Sequence, residues 1–98
     1  IKDMTIQGQK NEQAMKVFKA LADPIRLTII QYLNGQDHEV TCGEVDQAIH
    51  IGKTAGSYHF KLLQEAGLIT ARKVAREKYV ALDRSTFDRY LVHFWDNL

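Results

Sequence analysis

The sequence predicts a mainly α-helical domain that carries a small β-hairpin between its fourth and fifth helices. Apolar residues recur at helical spacing in five segments, and two short strand-like stretches flank the turn Ala75-Arg76-Glu77. A chain of 98 residues has room for one domain with one hydrophobic core. We therefore expect a single domain over residues 1–98 with the element order α-α-α-α-β-β-α.

The first two predicted helices are separated by the dipeptide Asp23-Pro24. Residues 1–9 show weak periodicity and are expected to form a loose lead-in to a helix from Asn11 to Ala22. An Asp that can cap, followed by a Pro in the first turn, starts the second helix. We expect this helix to be mostly buried and to end at Asn34-Gly35, followed by a polar loop over residues 36–40.

The third and fourth predicted helices are short and closely joined. Thr41 and Glu44 have the spacing of a capping box, which predicts a helix that runs to about Ile49. The tight connection over residues 50–52 leads to a fourth helix from Lys53 to Ala66, and Gly67 supplies a left-handed residue that closes it.

The last part of the chain predicts the hairpin and a terminal helix. Strands are expected at Leu68–Val74 and Lys78–Leu82. From Arg84 to Leu98 the apolar residues fall at i, i+3, i+4, i+7, i+8 and i+11, which predicts one continuous apolar stripe on a helix.

Positive charge is concentrated in one segment of the chain. Residues 52–80 contain six Lys or Arg and two acidic residues, whereas the remainder carries seven basic and ten acidic residues. This asymmetry indicates a face that binds a polyanion. The six cations are Lys53, Lys61, Arg72, Lys73, Arg76 and Lys78.

The composition excludes several classes of protein. The single cysteine, Cys42, excludes an internal disulfide framework and favours a reducing, cytoplasmic setting. No apolar run approaches the roughly 20 residues that span a bilayer. The chain has no nucleophile–base arrangement, Gly-rich phosphate loop or paired carboxylates, so we expect neither an enzyme nor a cofactor.

Two short helices, a tight Gly-containing turn and a basic hairpin form the arrangement that a major-groove reader needs. The residues also resemble the ArsR/SmtB family of bacterial winged helix-turn-helix repressors. The run FKALADPIRLTIIQYL (Phe18–Leu33) is similar to the family's opening ALADPTRLRIL, and TCGEVDQAI (Thr41–Ile49) matches its third helix. IGKTAGSYHFKLLQEAGLI (Ile51–Ile69) resembles the pattern hS-x-S-x-x-S-x-H-L-x-x-L-x-x-A-G-L-V.

Within that pattern Thr54 and Ser57 take the positions of two Ser residues, and His59 takes that of the His. The sequence departs from the pattern at Gly52, where the family has a Ser N-cap. A further glycine, Gly56, lies inside the helix, where we interpret it as allowing close approach to DNA.

The resemblance implies a sequence-specific transcriptional regulator, a dimeric repressor whose fourth helix enters the major groove of operator DNA. It places DNA contacts on that helix and on the hairpin, which acts as a wing. For His59, packing beneath the helix remains the alternative, and Arg26 is expected to pair with an acid near the helix junction. The predicted DNA-binding residues are Lys53, Thr54, Ser57, Tyr58 and His59 on the helix and Arg72, Lys73, Arg76 and Lys78 on the wing.

The resemblance also implies a homodimer in which the first and last helices pack across a two-fold axis. The alternative is that the same apolar side chains cover the core of their own protomer. The expected partners are double-stranded operator DNA with palindromic half-sites, a second copy of the chain and an unidentified small-molecule effector. The predicted interface residues are Val17, Phe18, Phe87, Tyr90, Leu91, Phe94 and Trp95.

The metal-binding positions of the family are altered here. Thr41 and Gly43 stand where metal-sensing members carry a thiolate pair, and a hydroxyl and a glycine cannot replace two soft ligands. Of the ligands of the family's terminal-helix metal site, only His93 and Asp96 offer a partial match, so we expect no metal site. Cys42 is expected to be a small buried side chain rather than a redox switch. A winged-helix module that binds proteins without specific DNA binding is the alternative function.

Overall fold

The computed structural model describes residues 4–97 of the chain, and side chains within residues 11–96. This part of the chain contains five α-helices and one three-stranded antiparallel sheet. A single 3₁₀ turn, Phe94–Asn97, follows the last α-helix. The elements are α1 (Met4–Leu21), α2 (Pro24–Asn34), β1 (Val40–Thr41), α3 (Cys42–Ile49), α4 (Lys53–Glu65), β2 (Ile69–Val74), β3 (Glu77–Leu82) and α5 (Arg84–Tyr90).

Helix α1 begins earlier than the sequence predicts. The backbone is helical from Met4, so the expected loose lead-in is wrong for residues 4–9, and its first three residues lie outside the described part. Weak apolar periodicity does not stop a helix that is already nucleated, because each further residue adds one hydrogen bond.

The predicted helix ends are confirmed by their capping contacts. Asp23 Oδ1 accepts hydrogen bonds from the backbone N–H groups of Ile25 (2.8 Å) and Arg26 (3.1 Å), which starts α2. At α3 the capping box is complete, since the Glu44 amide donates to Thr41 Oγ1 at 3.1 Å and the Thr41 amide donates to Glu44 Oε2 at 2.7 Å. Gly67 follows α4 in the left-handed region, with φ +77°.

The hairpin is part of a three-stranded sheet with the order β1-β3-β2. Strands β2 and β3 pair antiparallel as predicted, with a turn at Ala75 and Arg76. The additional strand β1 places Val40 opposite Val80, so the predicted loop was wrong at Val40. Both valines are buried, and this non-local pairing lets the hairpin pack against the helices.

The core draws apolar side chains from all five helices and from the sheet. Val17 of α1 and Phe87 of α5 are among its most buried members. The largest fully buried side chains are Phe60, Phe87, Ile29, Ile30, Leu63, Leu68, Val17, Val45 and Val80.

The carboxyl-terminal segment does not form the single helix that the apolar stripe predicts. Helix α5 ends at Tyr90, and the backbone turns at His93, where φ is +62°. This turn brings the Trp95 ring to 4.8 Å and the Phe94 ring to 5.4 Å from the Phe87 ring, measured between centroids. The aromatic side chains therefore cover the core of their own protomer, and Leu98 lies outside the described residues.

Within residues 4–97, none of the helices combines the length and the apolar character needed to span a lipid bilayer.

Candidate nucleic-acid interface

One face of α4 is exposed and polar, and the opposite face is buried. Lys53, Thr54, Ser57 and Tyr58 are all exposed, and Tyr58 is 59% accessible despite its large ring. The 3.6-residue period of the helix places these side chains together on its amino-terminal half. The structure thus brings together four of the five residues that the sequence predicts on this helix.

A further cation, Lys61, extends the exposed face by one turn beyond Ser57. Its i+4 spacing from Ser57 is the sequence signal that identifies it as part of the same surface. The N-cap residue of α4 is Gly52, which provides no side-chain hydrogen bond, and the positive end of the helix dipole lies beside Lys53. An anion is favoured at this end of the helix.

The wing presents cations next to α4. Lys73 and Lys78 are directly opposite each other on β2 and β3, and both are exposed. A cleft of about 730 Å³ is lined by Lys53 and Ser57 of α4, by Arg76 and Lys78 of the wing, and by residues of α3 that include Asp46. One predicted cation of α4 and two of the wing therefore border one cleft, together with the acidic residues Asp46 and Glu77.

Arg72 differs from the other wing cations. Its guanidinium forms an ion pair with Glu39, with Nη2 2.7 Å from Oε1, and lies 5.2 Å from the centre of the Tyr79 ring. The adjacent carboxylate neutralises much of the positive charge that Arg72 would offer to DNA.

His59 does not lie with the exposed residues of α4. Its side chain is 8% accessible, and its Nδ1 is 3.0 Å from Nη1 of Arg26. The prediction that His59 contacts DNA is therefore wrong, because its ring is buried. The alternative, in which His59 packs beneath the helix, is the one that the structure has. The guanidinium of Arg26 also donates to backbone carbonyls of α1, and its charge acts on Asp23, the acid at the helix junction.

Gly56 also lies on the buried face of α4, so its interpretation as a point of close approach to DNA is wrong. A Cβ atom at this position would be 2.8 Å from Cγ of Asp46 in α3. The absence of a side chain instead allows α3 and α4 to approach each other. Asp46 Oδ1 is buried there without a hydrogen-bond partner among the described residues, and burial raises the pKa of this carboxyl.

The predicted dimer residues fall into three groups by their burial in the protomer. Val17 and Phe87 are 0% and 2% accessible within one protomer, so their assignment to the interface is wrong: they are core residues. Phe18 is 53% accessible, and Met15, which is outside the predicted set, is exposed one turn before it. The remaining predicted side chains are half-buried against the protomer core: Tyr90, Leu91, Phe94 and Trp95.

The positions related to metal binding contain few ligand groups. Among the described residues, no group of three or more His, Cys, Asp or Glu side chains is arranged to hold a metal ion. His93 Nδ1 lies 3.1 Å from Asp96 Oδ2 at the surface. Cys42 is half-buried, and burial raises the pKa of its thiol, which favours the protonated form.

The known proteins that are similar to this chain belong to one class, the helix-turn-helix transcriptional regulators. A model of the Helix-turn-helix domain family matches residues 21–72, just over half of the chain. The HTH-type transcriptional regulator YceK of Bacillus subtilis is 45% identical over 95 residues, which cover 97% of this chain and 95% of that protein. The transcriptional repressor SdpR of Bacillus subtilis is 33% identical over 67 residues, or 68% of this chain and 72% of that repressor.

A solved structure extends the comparison to the whole fold. The crystal structure of an ArsR family transcriptional regulator superposes with a TM-score of 0.73 and 26% identity, covering 87% of this chain and 84% of that chain. The five helices and the hairpin wing have the winged helix-turn-helix architecture of that regulator. The chain therefore belongs to the ArsR/SmtB family of winged helix-turn-helix proteins, which are DNA-binding transcriptional regulators and not enzymes.

Proposed function

We propose that two copies of this chain bind a palindromic operator in the cytoplasm and repress transcription until a small-molecule effector releases them. The observation that carries the proposal is the surface shared by α4 and the wing. The cleft at this surface is lined by Lys53 and Ser57 of α4 and by Arg76 and Lys78 of the wing.

The amino-terminal half of α4 supplies the groups that read bases in this proposal. Lys53 can donate to guanine O6 and N7, while the hydroxyls of Thr54 and Ser57 can donate or accept. Tyr58 offers an exposed ring and a hydroxyl one position further along the same face. These side chains carry sequence preference because they reach base edges in the major groove.

The wing supplies contacts to the sugar–phosphate backbone. Lys73, Arg76 and Lys78 are exposed and bind phosphates or the narrow minor groove in the proposed complex. Arg72 contributes least because Glu39 already pairs with it. Lys61 adds one phosphate contact at the end of the α4 face.

Self-association uses the exposed apolar side chains of α1. Met15 and Phe18 are one helical turn apart, and both are more than half accessible in the protomer. A two-fold dimer built on this face presents two copies of α4, which matches half-sites about 10 base pairs apart or a multiple of that distance.

Selection of bound sequences from a random DNA pool tests the proposal. We expect enrichment of inverted repeats, and the same selection repeated with zinc tests whether a metal changes binding. Weak binding without any sequence preference would contradict the proposal and favour the module that binds proteins.

Titration of variants then tests the reading helix. The double substitution Ser57→Ala and Tyr58→Ala should weaken binding to the selected operator by roughly tenfold or more, because one good base contact contributes about 1–3 kcal/mol of discrimination. The control is Gln31→Ala, which removes an exposed polar side chain from α2. Unchanged affinity and sequence preference in the double variant would show that α4 is not the reading helix.

A further inference from the structure

The side chain of Arg26 links the end of α1 to α4. Its Nε donates to the carbonyl oxygen of Ala20 at 2.6 Å, and its Nη2 donates to that of Lys19 at 3.4 Å. These carbonyls belong to the last turn of α1, where a helix leaves its acceptors without intrahelical partners and carries the negative end of its dipole. The guanidinium therefore caps the carboxyl terminus of α1.

The same guanidinium contacts α4 through His59. Nη1 of Arg26 lies 3.0 Å from Nδ1 of the imidazole. A guanidinium has donors but no acceptor, so Nδ1 must accept the hydrogen bond, and the proton of the neutral ring resides on Nε2. His59 is almost completely buried, which leaves its ring one defined position beneath the helix.

The residues joined by this link lie between the two surfaces of the proposed complex. His59 directly follows Ser57 and Tyr58, the exposed residues proposed to read bases. On the other side, α1 carries Phe18, whose exposed ring belongs to the proposed dimer face, two residues before the Ala20 carbonyl. The link thus connects the helix proposed to join two protomers with the helix proposed to enter the groove.

Asp23 holds the backbone of Arg26 in place at the start of α2. Its Oδ1 accepts from the Arg26 amide at 3.1 Å, and the positive charge of Arg26 acts on its carboxyl group. The guanidinium therefore extends from a capped, anchored turn. Hydrogen bonds are directional, whereas the apolar contacts between α1 and α4 are not, so this group can define an angle that packing alone leaves broader.

We propose that Arg26 and His59 are positioning residues that hold α4 at a defined angle to α1 and thereby set the half-site spacing that the dimer accepts. This inference rests on the proposed function, because half-site spacing has a meaning only for a dimer on a palindromic operator. Neither side chain needs to touch DNA for this role.

The test measures affinity for operators whose two half-sites are separated by the selected spacing and by one or two base pairs more or fewer. Arg26→Met and His59→Leu keep much of the packing volume and remove one partner each. We expect both variants to reduce the preference for the selected spacing by about tenfold, which is the scale of one hydrogen bond to a charged group. His59→Gln should restore much of the preference, because its amide oxygen can accept from Arg26.

The controls separate positioning from folding and from charge. The ratio of affinities at two spacings does not depend on the fraction of folded protein, so a variant that merely loses stability keeps the wild-type ratio. Arg89→Met removes an exposed arginine from α5 and should also keep that ratio. Reduction of the ratio in this control as well would assign the effect to net charge and overturn the inference.

The remaining outcomes distinguish the inference from the proposed function. If the wild-type protein shows no spacing preference, the dimeric function fails and the inference fails with it. If the wild-type protein shows a preference that His59→Leu and Arg26→Met retain, the inference alone is overturned. Imidazole ¹⁵N spectra of the free protein provide a test without DNA: we expect Nδ1 of His59 unprotonated, and a protonated Nδ1 in the neutral ring would contradict the link.

Discussion

Substitution of Gly56 by Ala tests the close contact between the two helices of the helix-turn-helix. The new Cβ would lie 2.8 Å from Cγ and 2.9 Å from Oδ2 of Asp46, distances that require one of the groups to move. The neighbouring oxygen, Oδ1, is already buried without a hydrogen-bond partner in the described part of the chain. Displacement of the carboxylate therefore breaks no hydrogen bond of this oxygen, and the cost of the substitution comes from the close approach itself.

Two opposing effects determine the size of the change. Alanine is favoured over glycine by about 1 kcal/mol in the interior of a helix. Overpacking at a close contact costs about 1–3 kcal/mol. We therefore expect Gly56→Ala to lower the free energy of unfolding by about 0–2 kcal/mol in the wild-type background. In an Asp46→Ala background the carboxylate is absent, and Gly56→Ala should raise the free energy of unfolding by about 1 kcal/mol.

The pH dependence of the Asp46→Ala variant provides a second observable. Burial raises the pKa of Asp46 in the folded protein above its ordinary value of 3.8. The charged carboxylate therefore destabilises the folded state; this penalty is absent below the unfolded pKa and complete above the folded pKa. Asp46→Ala should accordingly gain more stability, relative to wild type, at pH 7 than at pH 3.

Urea unfolding of the wild type, the two single variants and the double variant measures the coupling between these positions. Gly43→Ala is the matched control, since its Cβ would meet only Thr41 Oγ1, at 3.9 Å. This control should be stabilised by up to about 1 kcal/mol. If Gly56→Ala stabilises the protein by the same amount in the wild-type and in the Asp46→Ala backgrounds, the close contact between α3 and α4 is refuted.

Further predictions concern one cap, one core residue and one wing cation. Asp23→Ala should lower the free energy of unfolding by about 1 kcal/mol at neutral pH. Hydrogen bonds, led by that from the Arg26 amide, lower the pKa of Asp23 in the folded protein, so this stabilisation is complete above pH 3.8 and is lost as the pH falls through the folded pKa. Urea unfolding at several pH values would measure this loss. Phe87→Ala should lower the free energy of unfolding by about 3–5 kcal/mol. Phe18→Ala should instead raise the dimer dissociation constant measured by sedimentation. If Phe87→Ala raised the dissociation constant and left the free energy of unfolding unchanged, Phe87 would belong to the interface. Arg76→Ala should weaken binding to all DNA sequences alike and reduce the salt slope by about one, so a change confined to one base position would contradict its contact with phosphate.

The parts of the fold that the sequence predicts well depend on neighbouring residues. Asp23-Pro24 and the Thr41–Glu44 pair define helix starts because their hydrogen bonds span two or three residues. Gly67 ends α4 because only its own backbone conformation is involved. The shared face of Lys53, Thr54, Ser57 and Tyr58 follows from the same helical period once the helix start is known.

The features that the sequence predicts poorly depend on contacts across the fold. Val40 joins the sheet only because Val80, 40 positions later, has a free strand edge beside it. His59 is compatible with either face of α4 until Arg26 is placed beneath it. The spacing of the carboxyl-terminal aromatic residues is likewise compatible with two structures: a long helix that packs in a dimer, and a turn that places Trp95 against Phe87 of the same protomer.

The amino-acid sequence alone determined the order of the five helices, the caps of α2 and α3, the basic wing and the family. These properties follow from local periodicity, side-chain capping and charge, which require no knowledge of distant neighbours. Only the tertiary structure decided that Gly56 and His59 face inward, that Phe87 belongs to the protomer core, and that Arg26 links α1 to α4. A residue's partner across the fold depends on how whole elements pack, and that packing is not contained in the spacing of residues along one helix.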